Sequence, residues 1–153
     1  MKEEKIRHYF SMWVTRDFTS LDSYFSKDII YRECYGAVYA GIEEIHLWIN
    51  EMVQKQVVLK WEIKDIFQVS EDRFFVRWYF EAREEQLYSF DGVSMIRFDG
   101  NTIQEIEEYE ATHETFRPCK VTEKRMIPHN VQELFSTRSH WKKQPLSNSV
   151  LFP

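Results

Sequence analysis

Cysteine, glycine and proline are scarce: the 153 residues hold two Cys, four Gly and four Pro. The two thiols, Cys34 and Cys119, have the spacing of neither a zinc site nor a redox pair, so disulfide or metal stapling is not expected and both are expected to be reduced. No apolar run approaches the ~20 residues that span a bilayer. The start, Met1-Lys2-Glu3-Glu4-Lys5, lacks the apolar segment of a signal peptide. The expectation is a soluble, cytoplasmic protein with no membrane contact. Positive charge is short too, with 20 Lys+Arg against 25 Asp+Glu, a net charge of -5 and a pI near 5.6. Nothing draws such a chain to phosphate backbones, so nucleic acid is not an expected partner. The sequence contains no G-x-S-x-G, phosphate loop or dinucleotide fingerprint, and its five histidines form no i,i+4 pair. No metal site and no cofactor are therefore expected.

Aromatic residues, by contrast, are abundant at 16%, more than a core of this size needs and good material for an apolar pocket. The glycines all precede residue 101 and the prolines all follow residue 117. Charge shifts at the same place: residues 1–113 hold 13 Lys/Arg and 22 Asp/Glu, and residues 114–153 hold 7 and 3. Both shifts predict a domain over 1–118 and a distinct basic extension over 119–153.

Ile6, Tyr9, Phe10, Trp13 and Val14 recur at helical spacing and predict a first helix. Ser20 is placed to cap a second, with Leu21, Tyr24 and Phe25 on one face and an end near Lys27. A third follows Gly41, on Ile42, Ile45, Trp48, Ile49, Met52 and Val53. The β-branched and aromatic run 28–35 reads as a strand. From residue 57 the period becomes two, with Val57, Leu59, Trp61, Ile63, Asp65 and Phe67 on the face expected to be buried. Strands over 74–83, 88–98 and 102–113 follow, the last two joined by the Asp99-Gly100-Asn101 turn. The order α-α-β-α-β-β-β-β predicts an α+β fold, helices on one face of a curved, mainly antiparallel sheet. In the extension, Val131, Leu134, Phe135, Arg138 and Trp141 predict an amphipathic helix after Asn130.

Several motifs coincide: Asp28-Ile29-Ile30-Tyr31, Glu33-Cys34-Tyr35-Gly36, Tyr39-Ala40-Gly41, the Trp48 helix, Arg77-Trp78-Tyr79-Phe80-Glu81 and Phe90-Asp91-Gly92-Val93-Ser94. Over roughly residues 5 to 118 the chain resembles the nuclear transport factor 2-like superfamily, with its ketosteroid isomerases and SnoaL-like polyketide cyclases. The resemblance implies a cone-shaped α+β fold, three N-terminal helices on a strongly curved sheet, with an apolar pocket at the wide end. It places Glu33 where the isomerases keep their general base and Tyr9 where they keep the oxyanion phenol. Their second oxyanion acid has no counterpart, because Ser94 stands at that position.

A carboxylate among Ile29, Tyr31 and Tyr35 has its pKa raised by desolvation, as a general base near neutral pH requires. Glu33 is thus the first catalytic candidate; the plain alternative is a structural bond to a backbone group or to Arg77. Asp65 is in phase with the buried face, so a β-bulge is expected to turn it outward. Alternation in the last strand sends Ile106, Glu108 and Glu110 inward, which makes Glu108 the second carboxylate. Tyr9 and Trp13 are stripe residues that a core also explains, and Trp13 is a candidate ligand contact. Tyr31, Trp61 and Trp78 are candidate pocket lining, and His113 a residue of the pocket mouth.

Two functions fit. One is a cofactor-independent isomerase, cyclase or dehydratase acting on a small apolar or carbonyl-containing ligand, with Glu33 moving the proton and Tyr9 assisting. The other is a non-catalytic ligand-binding or assembly module, a homodimer formed by the exposed sheet face together with the 119–153 extension; on that face Phe75 and Tyr79 interleave with Arg77, Glu81 and Arg83.

Overall fold

The computed structural model describes residues 1–119. The chain divides after Thr115, and the unit Met1–Thr115 carries all the elements described below. The amphipathic helix expected over 130–141 lies outside the described residues.

Helix α1 (Lys2–Thr15) buries Ile6, Tyr9, Phe10, Met12 and Trp13. Val14, expected in the stripe, is 40% exposed, and Met12 is fully buried instead. The two flank Trp13 by about 100° on either side, so the stripe alone does not choose between them; the neighbouring elements do. The chain turns at Arg16, whose φ of 59° is left-handed.

Helix α2 is a single turn, Leu21–Tyr24, and stops before the expected Lys27. Strand β1 (Phe25–Arg32) begins at once, because Phe25 pairs with Ile103 and buries its ring in the extended state. A three-residue strand, β2 (Val38–Ala40), pairs back on β1 and was not expected from its pattern. It is too short to show a period. Helix α3 (Ile42–Lys55) follows Gly41, whose φ of 86° favours glycine.

The remaining strands are β3 (Val57–Gln68), β4 (Arg73–Arg83), β5 (Leu87–Asp99) and β6 (Thr102–Ala111). The six form one curved, unclosed sheet in the order β2-β1-β6-β5-β4-β3. Pairing is antiparallel except between β1 and β6. The class is thus α+β with a mixed sheet, and Phe74, Val76, Trp78, Phe80 and Ala82 face the core from β4 as alternation requires. Among the described residues no helix is long and apolar enough to cross a membrane.

β3 departs from simple alternation. Its register against β4 shifts between Val58 and Lys60 and again between Ile63 and Asp65. Each extra residue changes the face. Val57 and Phe67, expected inside, are therefore exposed, and Val58 is buried. The second shift turns Asp65 toward Arg77, which donates to it from Nε at 2.7 Å and Nη2 at 2.5 Å. Arg77 is thereby committed to Asp65 and does not reach Glu33.

Candidate functional site

The site is built where β1 runs parallel to β6. Tyr31 lies beside Ile106 and Arg32 beside Glu107, so the next step brings Glu33 to the level of Glu108. Glu33 is buried like Tyr31, but it lies past the end of the strand, and Tyr35 does not share its burial as the continuous 28–35 strand implied. β1 ends at Arg32, and residues 33–36 form a turn in which Gly36 N–H donates to the Glu33 carbonyl. Gly36 has a φ of 101°, which only glycine adopts without strain.

This turn folds Glu33 inward to 8% exposure and leaves the Tyr35 ring 65% exposed. One oxygen, Oε2, accepts from the Tyr35 hydroxyl and from Tyr39 Oη at 3.0 Å. Burial pushes the Glu33 carboxyl up to about 7, with the two phenols holding it from rising further. Replacing Tyr39 by Phe removes one of these donors. The Glu33 pKa is then expected to rise by about one unit, read by carboxyl 13C NMR titration; an unchanged or lower value would show that Tyr39 does not stabilise the carboxylate.

The second carboxylate ends a buried chain of hydrogen bonds. Tyr9 donates to Tyr31 Oη at 3.0 Å, and Tyr31 donates to Glu108 Oε1 at 2.8 Å. From the other side Trp78 Nε1 donates to Ser94 Oγ at 2.8 Å, and Ser94 donates to the same Glu108 oxygen at 3.1 Å. Ser94 faces Glu108 directly across the β5–β6 ladder. Burial raises the Glu108 carboxyl to about 8; Tyr31 opposes this, and the nearby charge of Glu33 adds to it. Tyr9 and Tyr31 are held well above the ordinary phenol pKa by the same burial and by the charge of Glu108, so both stay protonated donors.

Trp48 of α3 joins the two carboxylate systems. Its ring stacks on Tyr39 at 4.8 Å and leans on Tyr31 at 4.9 Å. Behind it stand Trp13, 4.9 Å from Trp48, and Trp61, in contact with Tyr9 and Trp78. The indole N–H groups of Trp13, Trp48 and Trp61 are buried and have no acceptor among the described residues.

Tyr9, Trp13, Tyr31, Trp61, Trp78 and Glu108 are thus brought into one aromatic body, with Glu33 at its edge. His113 is not. Its ring lies tilted against Tyr79 at 4.6 Å and bonds Asp91 at 2.9 Å, on the sheet face opposite Ser94 and Glu108. Glu110, expected inward with Glu108, is exposed, because it lies near the end of β6 opposite Gly92. Tyr39 is the site residue that periodicity could not find; only its place in the Tyr39-Ala40-Gly41 motif marked it. An open groove of about 330 Å3 between α1 and β3, lined by Phe10, Val14, Trp61 and Ile63 among others, shares neither carboxylate with this site.

In each carboxylate one oxygen takes both hydrogen bonds. Glu33 Oε1 and Glu108 Oε2 have no partner among the described residues. The arrangement can therefore take up or release a proton near neutral pH, and each carboxyl, once ionised, offers one free acceptor oxygen from an apolar surround.

The model of the SnoaL-like domain matches residues 6–106. No curated protein sequence matches the chain. Among solved structures, it is similar to a protein with a ketosteroid isomerase-like fold from Catenulispora acidiphila DSM 44928 in complex with trimethylamine, at 17% identity and a TM-score of 0.62, over 69% of this chain and 84% of that one. It is also similar to a candidate SnoaL-like polyketide cyclase from Shewanella denitrificans OS-217, at 15% identity and 0.61, over 72% and 90%. An LEH-like epoxide hydrolase from M. tuberculosis aligns at 12% identity and 0.64, over 71% and 80%. At these identities the likeness establishes the fold alone.

Proposed function

The chain belongs to the SnoaL-like family, within the nuclear transport factor 2-like superfamily, and from that premise we propose that it binds a small molecule at the Glu33 turn and moves a proton on it. The reaction is an isomerisation, cyclisation or dehydration of a small, largely apolar carbonyl compound, without a cofactor. Glu33 carries this reading: a carboxyl buried among phenols, held at about 7, with one oxygen free. A base poised at the working pH gives the largest product of ionised fraction and proton affinity. Tyr9 acts from one remove, because its proton is given to Tyr31 and so serves to orient the donor on Glu108. A ligand would reach Glu33 from the side of Tyr35, whose ring is 65% exposed.

A second reading rests on the outer sheet face, where Phe75 and Tyr109 are 38% and 47% exposed. Here the chain is a homodimeric ligand-binding module without chemistry. Native mass spectrometry of freshly purified protein identifies a retained ligand and counts the subunits. With that compound, or one of its chemical class, as substrate, Glu33→Gln is expected to lower kcat at least about 100-fold. Unchanged turnover would remove Glu33 from the reaction and leave the binding module.

A further inference from the structure

Among the described residues neither buried carboxylate takes a hydrogen bond or an ion pair from a basic group. Glu33 responds to its burial and to the Tyr35 and Tyr39 hydroxyls; Glu108 responds to its burial, to Tyr31, to Ser94 and to Glu33. The surrounding groups are likewise acids, phenols or a thiol: Tyr9 on α1, Tyr39 and Tyr88 on β2 and β5, Glu51 on α3, Cys34 beside Glu33, and Glu110 on β6. The basic residues of the neighbouring strands are engaged elsewhere, Arg32 with Glu107, Arg77 with Asp65 and Arg97 with Glu105.

Buried carboxylates are ordinarily paired with a cation. Here two of them, 92% and 94% buried, each keep an oxygen with no partner among the described residues. Aromatic rings connect them: Trp48 is stacked on Tyr39, which donates to Glu33, and is set against Tyr31, which donates to Glu108. Carboxylate edges beside π faces are the chemistry that recognises an organic cation, through Coulomb attraction and cation–π contact together.

We propose that the ligand of this site carries a small alkylammonium group, seated between the free oxygens of Glu33 and Glu108 against the Trp48, Tyr39 and Tyr31 rings. This rests on the reading that the Glu33 turn opens to a small molecule, and it specifies that molecule's chemistry: a protonated or quaternary amine attached to an otherwise apolar body. A cation bound there favours both ionised carboxylates, so binding releases protons near neutral pH.

The test compares choline and tetramethylammonium with 3,3-dimethylbutan-1-ol, the neutral isostere of choline, by tryptophan fluorescence and calorimetry at constant ionic strength set with sodium chloride. The expected result is saturable binding of both cations at least 10-fold tighter than the neutral alcohol, with proton release measured in buffers of different ionisation heat. Glu33→Gln and Glu108→Gln, with folding checked by circular dichroism, are each expected to weaken the cations about 10-fold or more and leave the alcohol unchanged. If the alcohol binds as tightly as choline, the cation proposal is overturned and the small-molecule site stands. If neither binds at tens of millimolar, both fall. The wild-type comparison decides even where a variant does not fold.

Discussion

Replacing Glu108 by Gln is expected to raise the thermal midpoint at pH 9 by about 10 °C and to leave it within about 2 °C of wild type at pH 5. In the folded protein burial holds the carboxyl at about 8, against 4.5 as the reference value. The folded state therefore binds the proton more tightly than the unfolded chain. Its contribution to stability is complete below the unfolded value, falls across the interval from 4.5 to 8, and is lost above 8. Complete conversion of that difference gives a ceiling of about 5 kcal/mol, and relaxation around the ionised group reduces the expected loss to about 3 kcal/mol. Gln keeps the shape and the acceptor oxygen that Tyr31 and Ser94 use, and it never ionises. Glu33, held at about 7, leaves a shallower slope of the same sign between 4.5 and 7 in the variant. Thermal unfolding at half-unit steps from pH 5 to 9 measures both slopes. Parallel curves for wild type and variant would show that Glu108 is not the neutral buried acid described above.

The second large effect belongs to Gly92→Ala, which is expected to cost about 2–4 kcal/mol. Gly92 lies opposite Trp78 in the β4–β5 ladder, and the indole covers the glycine so closely that a Cβ there would overlap the ring. No flexible side-chain end is available to move: Trp78 is 1% exposed, packed against Trp61, Phe80 and Phe90. The methyl must push the indole off Gly92. That movement breaks its N–H bond to Ser94, which in turn orients Ser94 on Glu108. The variant thus combines overpacking with a buried donor left unpaired. Urea unfolding gives the magnitude, and the double variant Gly92→Ala with Trp78→Phe is expected to regain part of the loss, since the smaller ring makes room. A cost below about 1 kcal/mol for Gly92→Ala alone would mean that the sheet accommodates the methyl without moving Trp78.

Where periodicity was long and unbroken, local sequence was enough. The stripe of α1, the alternation of β4 and the Asp99-Gly100-Asn101 turn each repeat a short-range rule over many residues or use a conformation that one residue type favours. Where the period was interrupted it misled. β3 carries two register shifts: the one at Asp65 is announced by a charged residue in phase with the buried face, whereas no residue pattern announces the one between Val58 and Lys60. The end of β1 was missed because Glu33-Cys34-Tyr35 is as β-prone as the residues before it, and Gly36 closes a turn that begins three residues earlier.

The site divides in the same way. Its residue types were open to reading from the sequence: an acid in an aromatic run, a second acid alternating with Ile106, and Tyr9 on the buried stripe. Sequence alone also determined the fold class and the surplus of negative charge in the first 113 residues, because composition, period and turn chemistry are local properties of the chain. Only the tertiary structure decided that Ser94 and Tyr31 meet on one oxygen of Glu108, that Tyr39 reaches Glu33, that Glu110 and His113 stand apart, and that among the described residues no basic group pairs with either buried carboxylate. Those facts depend on strand register and on which strands are neighbours. They join residues as far apart as Tyr31 and Glu108, 77 positions along the chain, where the pattern of either segment carries no information about the other.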